Sequence, residues 1–316
     1  MSDGQRLDAA GKYRLVQVFV LKEDATRPAD MTRLHIDERE IKLFRSVLRQ
    51  QMELSEDSRG NWWLSFFRDS GRPQHLFVRF IDTDVAGAAA WSRDKPAHCA
   101  SRLTQVAYAQ LAGNRSETDP DELQVLCSDT SQMVRQSRSV KPSQLYEAST
   151  HYGHVSGRGA QFISKLTGHN DSQFRRHILL YALAYAYLLT FEALGNDVSQ
   201  ALLRKSAQGV QALALRRLYR EASFFDAMSF FRQPVMRSNA PTCAAWNRID
   251  GALGVTDSRT ELLKQLESAH YICDLEARRA IESRETRRTL WLTVLGLVLA
   301  LASGLGAVNT IREWLS

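Results

Sequence analysis

Two short stretches carry side chains with catalytic or metal-binding capacity. The first is "HYGHVSGRG", residues 151–159, which sets His151 and His154 three residues apart. On a helix that spacing would put both imidazoles on one face, able to ligate a metal. Gly153, Gly157 and Gly159 argue instead for a loop, and no neighbouring acid completes a zinc triad. Gly157 directly follows Ser156, so the stretch is not a nucleophile elbow, and no Gly-Lys-Ser/Thr makes it a phosphate loop. It reads as a flexible connection.

The second is "FIDTDVAG", with Asp82 and Asp84 at the end of an expected strand. Two carboxylates at that spacing can hold a divalent ion such as magnesium, with waters completing the shell. The competing expectation is that one of them caps the following helix or turn. No other motif implies a cofactor. His98 and Cys99 stand as an isolated pair, which suits a packed thiol. Phe224, Phe225, Phe230 and Phe231 recur at helical spacing, which marks core packing before a base-stacking platform. Nucleic acid is therefore not an expected partner, and no constellation builds an active site.

The elements that must position these residues follow from periodicity. Residues 13–22, "YRLVQVFVLK", read as a strand, and 37–52 as a helix. "NWWLSFF" and "HLFVRFI" form a strand pair across a loop with Gly71 and Pro73. Residues 100–113 read as a helix and 123–127 as a strand. The order suits a two-layer α/β domain of ferredoxin-like type. Helices follow over 174–194, 198–232 and 243–253. A last helix begins at a capping box of Ser258 and Glu261 and meets no later proline. The apolar run 178–191 is about 14 residues, a length that marks a buried helix rather than a span.

The tail differs. From Thr289 to Val308 no residue is charged, about 20 positions, which as a helix cover roughly 30 Å, the hydrocarbon thickness of a bilayer. Trp291 and Trp314 stand near its ends, and Arg278, Arg279, Arg284, Arg287 and Arg288 precede it. By the positive-inside rule this is a single pass through the inner or cell membrane with a cytoplasmic N-terminal side. The formal charge of +6 and the pI near 9.2 suit an anionic inner leaflet as partner. Residues 1–12 lack the apolar run of a secretory signal, and four scattered cysteines suit a reducing compartment.

The expected class is therefore α+β: a flexible tail over 1–12, an α/β domain over 13–130, a connection over 131–158, a helical domain with a stalk over 159–288, a transmembrane helix over 289–311 and a short tail over 312–316. Gly296, Ala300 and Gly304 give the span one small-residue face, which lets helices approach closely in lipid. Leu263, Leu266, His270, Cys273, Ala277 and Ala280 follow the three-four spacing of a coiled-coil seam. The face and seam imply a homo-oligomer, or else a seam packed within the same chain.

The order of α/β head, helical body, stalk and span resembles CorA-type metal-ion transporters. "RRTLWLTVLGLVLALASGLGAVN" is similar to that family's stalk-to-membrane junction, with Leu292-Thr293 at a Leu-Thr position and "GAVN" near the Gly-Met-Asn signature. Asn309 is shared, the glycine comes one position early and the methionine is absent. The resemblance implies ion conduction, while the family's second span and its acidic ends, here only Glu313, have no counterpart. The expected function is a membrane-anchored, oligomeric, non-enzymatic sensor or effector, of a kind suited to stress or phage defence, with a partner protein at the α/β domain. The alternatives are a minimal ion-conducting protein and a tethered metal-dependent enzyme.

Overall fold

The computed structural model describes residues 13–36, 39–112, 119–165, 171–203, 208–272, 275, 286 and 288–296. The chain runs β1 (Tyr13–Leu21), β2 (Thr32–Arg33), β3 (His35–Ile36), β4 (Arg39–Glu40), α1 (Ser46–Gln50), β5 (Glu53–Glu56), β6 (Trp62–Phe66), β7 (Gln74–Asp82), α2 (Val85–Trp91), β8 (Cys99–Gln110), α3 (Pro120–Arg135), β9 (Tyr146–Glu147), β10 (His151–Ser156), β11 (Gly159–Ser164), α4 (Asp171–Leu203), α5 (Gln208–Met228) and α6 (Ala240–Leu253). Helix continues over 255–272 and 288–296. The chain divides into two compact units, Met1–Gly195 with Glu221–Leu262, and Asn196–Arg220 with Leu263–Ser316.

The first unit is mixed α/β around a nine-stranded sheet of order β2-β5-β6-β7-β1-β8-β11-β10-β9. All pairs are antiparallel except β8 with β11. The register lines up Phe80, Val16, Val106 and Ala160 across four strands. On one face Leu15, Ala107, Ala109 and Ile163 pack with Ala88 of α2 and Leu126, Cys127 and Met133 of α3. On the other face Tyr108 and Phe162 meet Phe174 of α4, ring centroids 4.9 and 5.4 Å away. The sheet thus lies between helices, wider than the strand order expected from the sequence.

Three segments correct the expectations. Of the helix expected over 100–113, residues 100–110 are strand and Gly113 lies outside the described residues: β8 is a central strand whose Gln105, Ala107 and Ala109 alternate with Thr104, Val106 and Tyr108. From Thr104 onward it is covered on both sides and keeps no exposed residue to give a clear period of two. Residues 123–127 are helix, not strand, inside α3. There the Asp119 side chain accepts from Asp121 N, Pro120 opens the helix, and Gln136 ends it at φ 56°. Of the helix expected over 37–52, only α1 forms, with β4 before it.

The connection expected over 131–158 is built structure. It contains the end of α3, a 3-10 turn at Pro142–Gln144, β9 and β10. Gly153 and Gly159 serve close packing there. A Cβ at 153 would overlap the Tyr146 ring, and Gly159 holds φ +131° with the Gln105 carbonyl where its Cβ would go. The capping box at Ser258 is also corrected. The last helix starts earlier, with Ser258 N donating to Gly254 O, and the Asp250 carboxylate caps it from Thr256 N (2.8 Å) and Thr256 Oγ1 (2.7 Å).

Among the described residues one helix, α4, is long and apolar enough to cross a membrane, and 67% of its most apolar window is buried within the chain. Ile178, Leu179, Leu180, Ala182, Leu183 and Ala184 are each 0% exposed, so this stretch is a core element of the folded chain, as its short apolar run implies.

In the second unit, Leu266 and Ala269 are buried, and the His270 ring stands 5.3 Å from that of Tyr219. The segment 288–296 is different. Leu290, Trp291, Leu292, Val294 and Leu295 are all exposed.

Candidate functional site

Strand alternation separates the two histidines of "HYGHVSGRG". On β10, His154 pairs in register with Gln161 and has Arg135 of α3 as its charged neighbour. His151 turns to the α4 face, where its ring stacks on Phe162 at 4.0 Å and meets His177 edge to face at 4.8 Å. The pair therefore does not converge on one metal. Among the described residues no group of three or more His, Cys, Asp or Glu is placed to hold a metal ion.

The carboxylates of "FIDTDVAG" are occupied separately. Asp82 accepts from Arg14 Nε at 2.7 Å, and the same guanidinium reaches Asp171 at 2.8 Å, tying β7 to the start of α4. Asp84 caps α2, accepting from Gly87 N at 2.6 Å. Cys99 is packed with Phe19, Trp63 and Phe77, where burial pushes its thiol up to about 11. Phe225 and Phe230 lie in the core beside Tyr187, whereas Phe224 is exposed.

A different constellation forms around His151. A cleft of about 260 Å³ is lined by Ser149, Thr150 and His151 before and at the start of β10, by Gln173 and His177 on the first turns of α4, and by Pro241, Ala244, Ala245 and Arg248 on α6. His177 is 6% exposed. Its Nδ1 lies 2.8 Å from the Gln173 carbonyl and so must carry the proton, which leaves Nε2 a bare acceptor. That Nε2 is buried and has no hydrogen-bond partner. His151 Nδ1 lies 3.1 Å from Thr150 Oγ1. Arg248 sits over the Tyr146 ring at 4.2 Å and has no carboxylate partner among the described residues.

The electrostatics follow from this packing. Burial drives His151 down to about 3, helped by His177, Arg248 and Lys165. Burial likewise drives His177 down to about 4, partly offset by the bond to Gln173 O. Burial pushes Tyr146 up to about 12, against the pull of Arg248. Among the described residues the cleft thus pairs two neutral imidazoles with one unbalanced cation, and no acid lines it.

Sequence reasoning found His151 but missed His177, Tyr146 and Arg248. One trace of His177 was available: with Phe174, Ile178 and Tyr181 it continues a helical apolar stripe, an unusual place for an imidazole. Arg248 left no local sign, because what sets it apart is the absence of a carboxylate partner in space.

Of the expected stalk seam, Leu263 is half-buried, Leu266 is buried and His270 contacts Tyr219. Cys273, Ala277 and Ala280 lie outside the described residues, as do Arg287, Ala300, Gly304 and Trp314. Arg288, Trp291 and Gly296 lie on the helical segment 288–296. Comparison of the chain with known family models, characterised proteins and solved structures gives no match.

Proposed function

We propose that this chain is a membrane-anchored, non-enzymatic sensor or effector, with an α/β head facing the cytoplasm and one anchoring helix over 289–311. The observation that carries this is the helical segment 288–296, whose Leu290, Trp291, Leu292, Val294 and Leu295 are all exposed. Trp291 alone is 71% exposed. Water disfavours such a surface by about 25 cal/mol per Å² of apolar area, whereas lipid accepts it. The uncharged sequence runs on past this segment, and arginines precede it. Copies of the chain associate through Gly296, Ala300 and Gly304, and Gly304→Ile then shifts the detergent-solubilised protein toward monomer.

Flotation tests the anchor. The purified full chain, reconstituted with phosphatidylcholine vesicles, rises with the lipid through a density gradient and stays with it in high salt. A chain that remains at the bottom in high salt is not anchored by apolar burial. A second reading, ion conduction of CorA-like kind, is favoured by "GAVN" after the apolar run. Divalent-ion flux into the same vesicles separates the two: the sensor gives none above empty vesicles.

A further inference from the structure

The cleft between β10, α4 and α6 has the features of a binding site for a small oxyanion that carries a hydrogen-bond donor. Its one cation, Arg248, is half-buried and without a carboxylate partner among the described residues. Guanidinium groups in such settings bind phosphate and carboxylate oxygens as a fork. The first turns of α4 and α6 both line the cleft through Gln173, Pro241 and Ala244, and helix N-terminal turns favour negative charge. Among the described residues no Asp or Glu lines the cleft.

His177 narrows the ligand further. Its Nδ1–H is committed to Gln173 O, so the buried Nε2 can only accept. A buried acceptor without a donor is unfavourable, and a ligand O–H would relieve it. The ligand must therefore present anionic oxygens to Arg248 and an O–H to His177. Hydrogen phosphate has both. Sulfate has only the first at neutral pH. The cleft, at about 260 Å³, lies just below the usual range of about 300–1,000 Å³ for drug-sized ligands, so it fits a head group and not a whole nucleotide.

We infer that this cleft binds a hydrogen-phosphate group, with Arg248 on the anionic oxygens, His177 Nε2 accepting from the P–OH, and the Ser149 and Thr150 hydroxyls alongside. The group is either inorganic phosphate or the head of a phosphomonoester bound as its monoanion, the form that keeps a P–OH. As the signal of a sensor it rests on the reading above. As a binding site it stands apart, because flotation and phosphate binding are separate readouts.

The test is calorimetric titration of inorganic phosphate into the full chain in phosphatidylcholine nanodiscs at neutral pH. Saturable binding at one site per chain is expected, with sulfate weaker by about tenfold or more, the equivalent of one hydrogen bond to a charged group. Arg248→Met should weaken phosphate by a similar factor. Ala244→Glu, which puts a carboxylate on an exposed lining position and leaves the core untouched, should abolish binding while the circular dichroism spectrum stays unchanged. Glycerol phosphate competing with phosphate identifies a soluble ester as a ligand. Competition only from nanodiscs containing phosphatidic acid places the source in the lipid. No saturable binding at millimolar phosphate would overturn the proposal. So would binding that both variants retain, or equal affinity for sulfate.

Discussion

The rings of His151 and His177 meet edge to face, 4.8 Å between centroids, one from strand β10 and one from helix α4. Both are held neutral by burial, with folded values near 3 and near 4, below the unfolded value of about 6.5. Arg248 on α6 and Lys165 after β11 are the charged groups acting on them, the Tyr146 hydroxyl on β9 lies 3.5 Å from His151 Nε2, and Lys165 is paired with Glu147. None favours protonation.

The sign follows directly. As pH falls below about 6.5 the unfolded chain takes up protons that the folded one refuses. The stability contributed by the neutral pair is therefore complete above about pH 6.5. It is lost as pH falls toward 4, by an amount on the order of 3 kcal/mol for each imidazole. Denaturant unfolding across this range should show a steep acid limb, and His151→Phe with His177→Phe should flatten it. An acid limb of equal slope in the double variant would remove the pair from the explanation.

Gly159 sits at φ +131° with the Gln105 carbonyl where a side chain would begin. Gly159→Ala is expected to cost about 1–3 kcal/mol, since both the backbone angle and the parallel β8–β11 pairing must yield. The midpoint of thermal unfolding measures it. Gly157→Ala, which meets no atom within 4 Å, should change it little.

How much of this was legible follows from where the constraints lie. Strands β1, β6 and β7 were readable because β-branched and aromatic residues crowd short runs with turn residues between them. β8 was not, since Ala107 and Ala109, small to let α3 approach, carry a helical propensity that tertiary pairing overrides. The α3 start was written in "TDPDE", yet "LQVLC" looked like a strand because Val125 is exposed and adds to the apparent run. At the cleft, His151 and the glycines were visible as residues but not as packing. Tyr146 filling the space beside Gly153 and His177 arriving from another element are contacts that no local spacing encodes.

Tyr187 links α4 to the end of α5. Its hydroxyl donates to Ser229 O at 2.8 Å, and the Ser229 hydroxyl donates to Gln51 Oε1 at 2.7 Å, in a region where Tyr187 and Ser229 are 0% exposed. Tyr187→Phe keeps the ring contacts with Phe67 and Phe230 and removes the hydroxyl, which donates to Ser229 O and accepts from Phe231 N at 3.4 Å. It should cost about 1–3 kcal/mol, the penalty of an unpaired buried carbonyl. Phe224→Ala, at an exposed position, should stay within about 0.5 kcal/mol. Equal losses in equilibrium unfolding of the two variants would contradict the assigned burial.

The anchoring claim is tested most directly by fractionating cells that express the full chain or residues 1–288, with a high-salt wash to remove arginine-mediated adhesion to anionic lipid. The full chain should remain in the membrane fraction. The shortened chain should move to the soluble fraction, because the apolar residues of α4 are already buried in its own core. A shortened chain that stays with the membrane after the wash would contradict the single anchor.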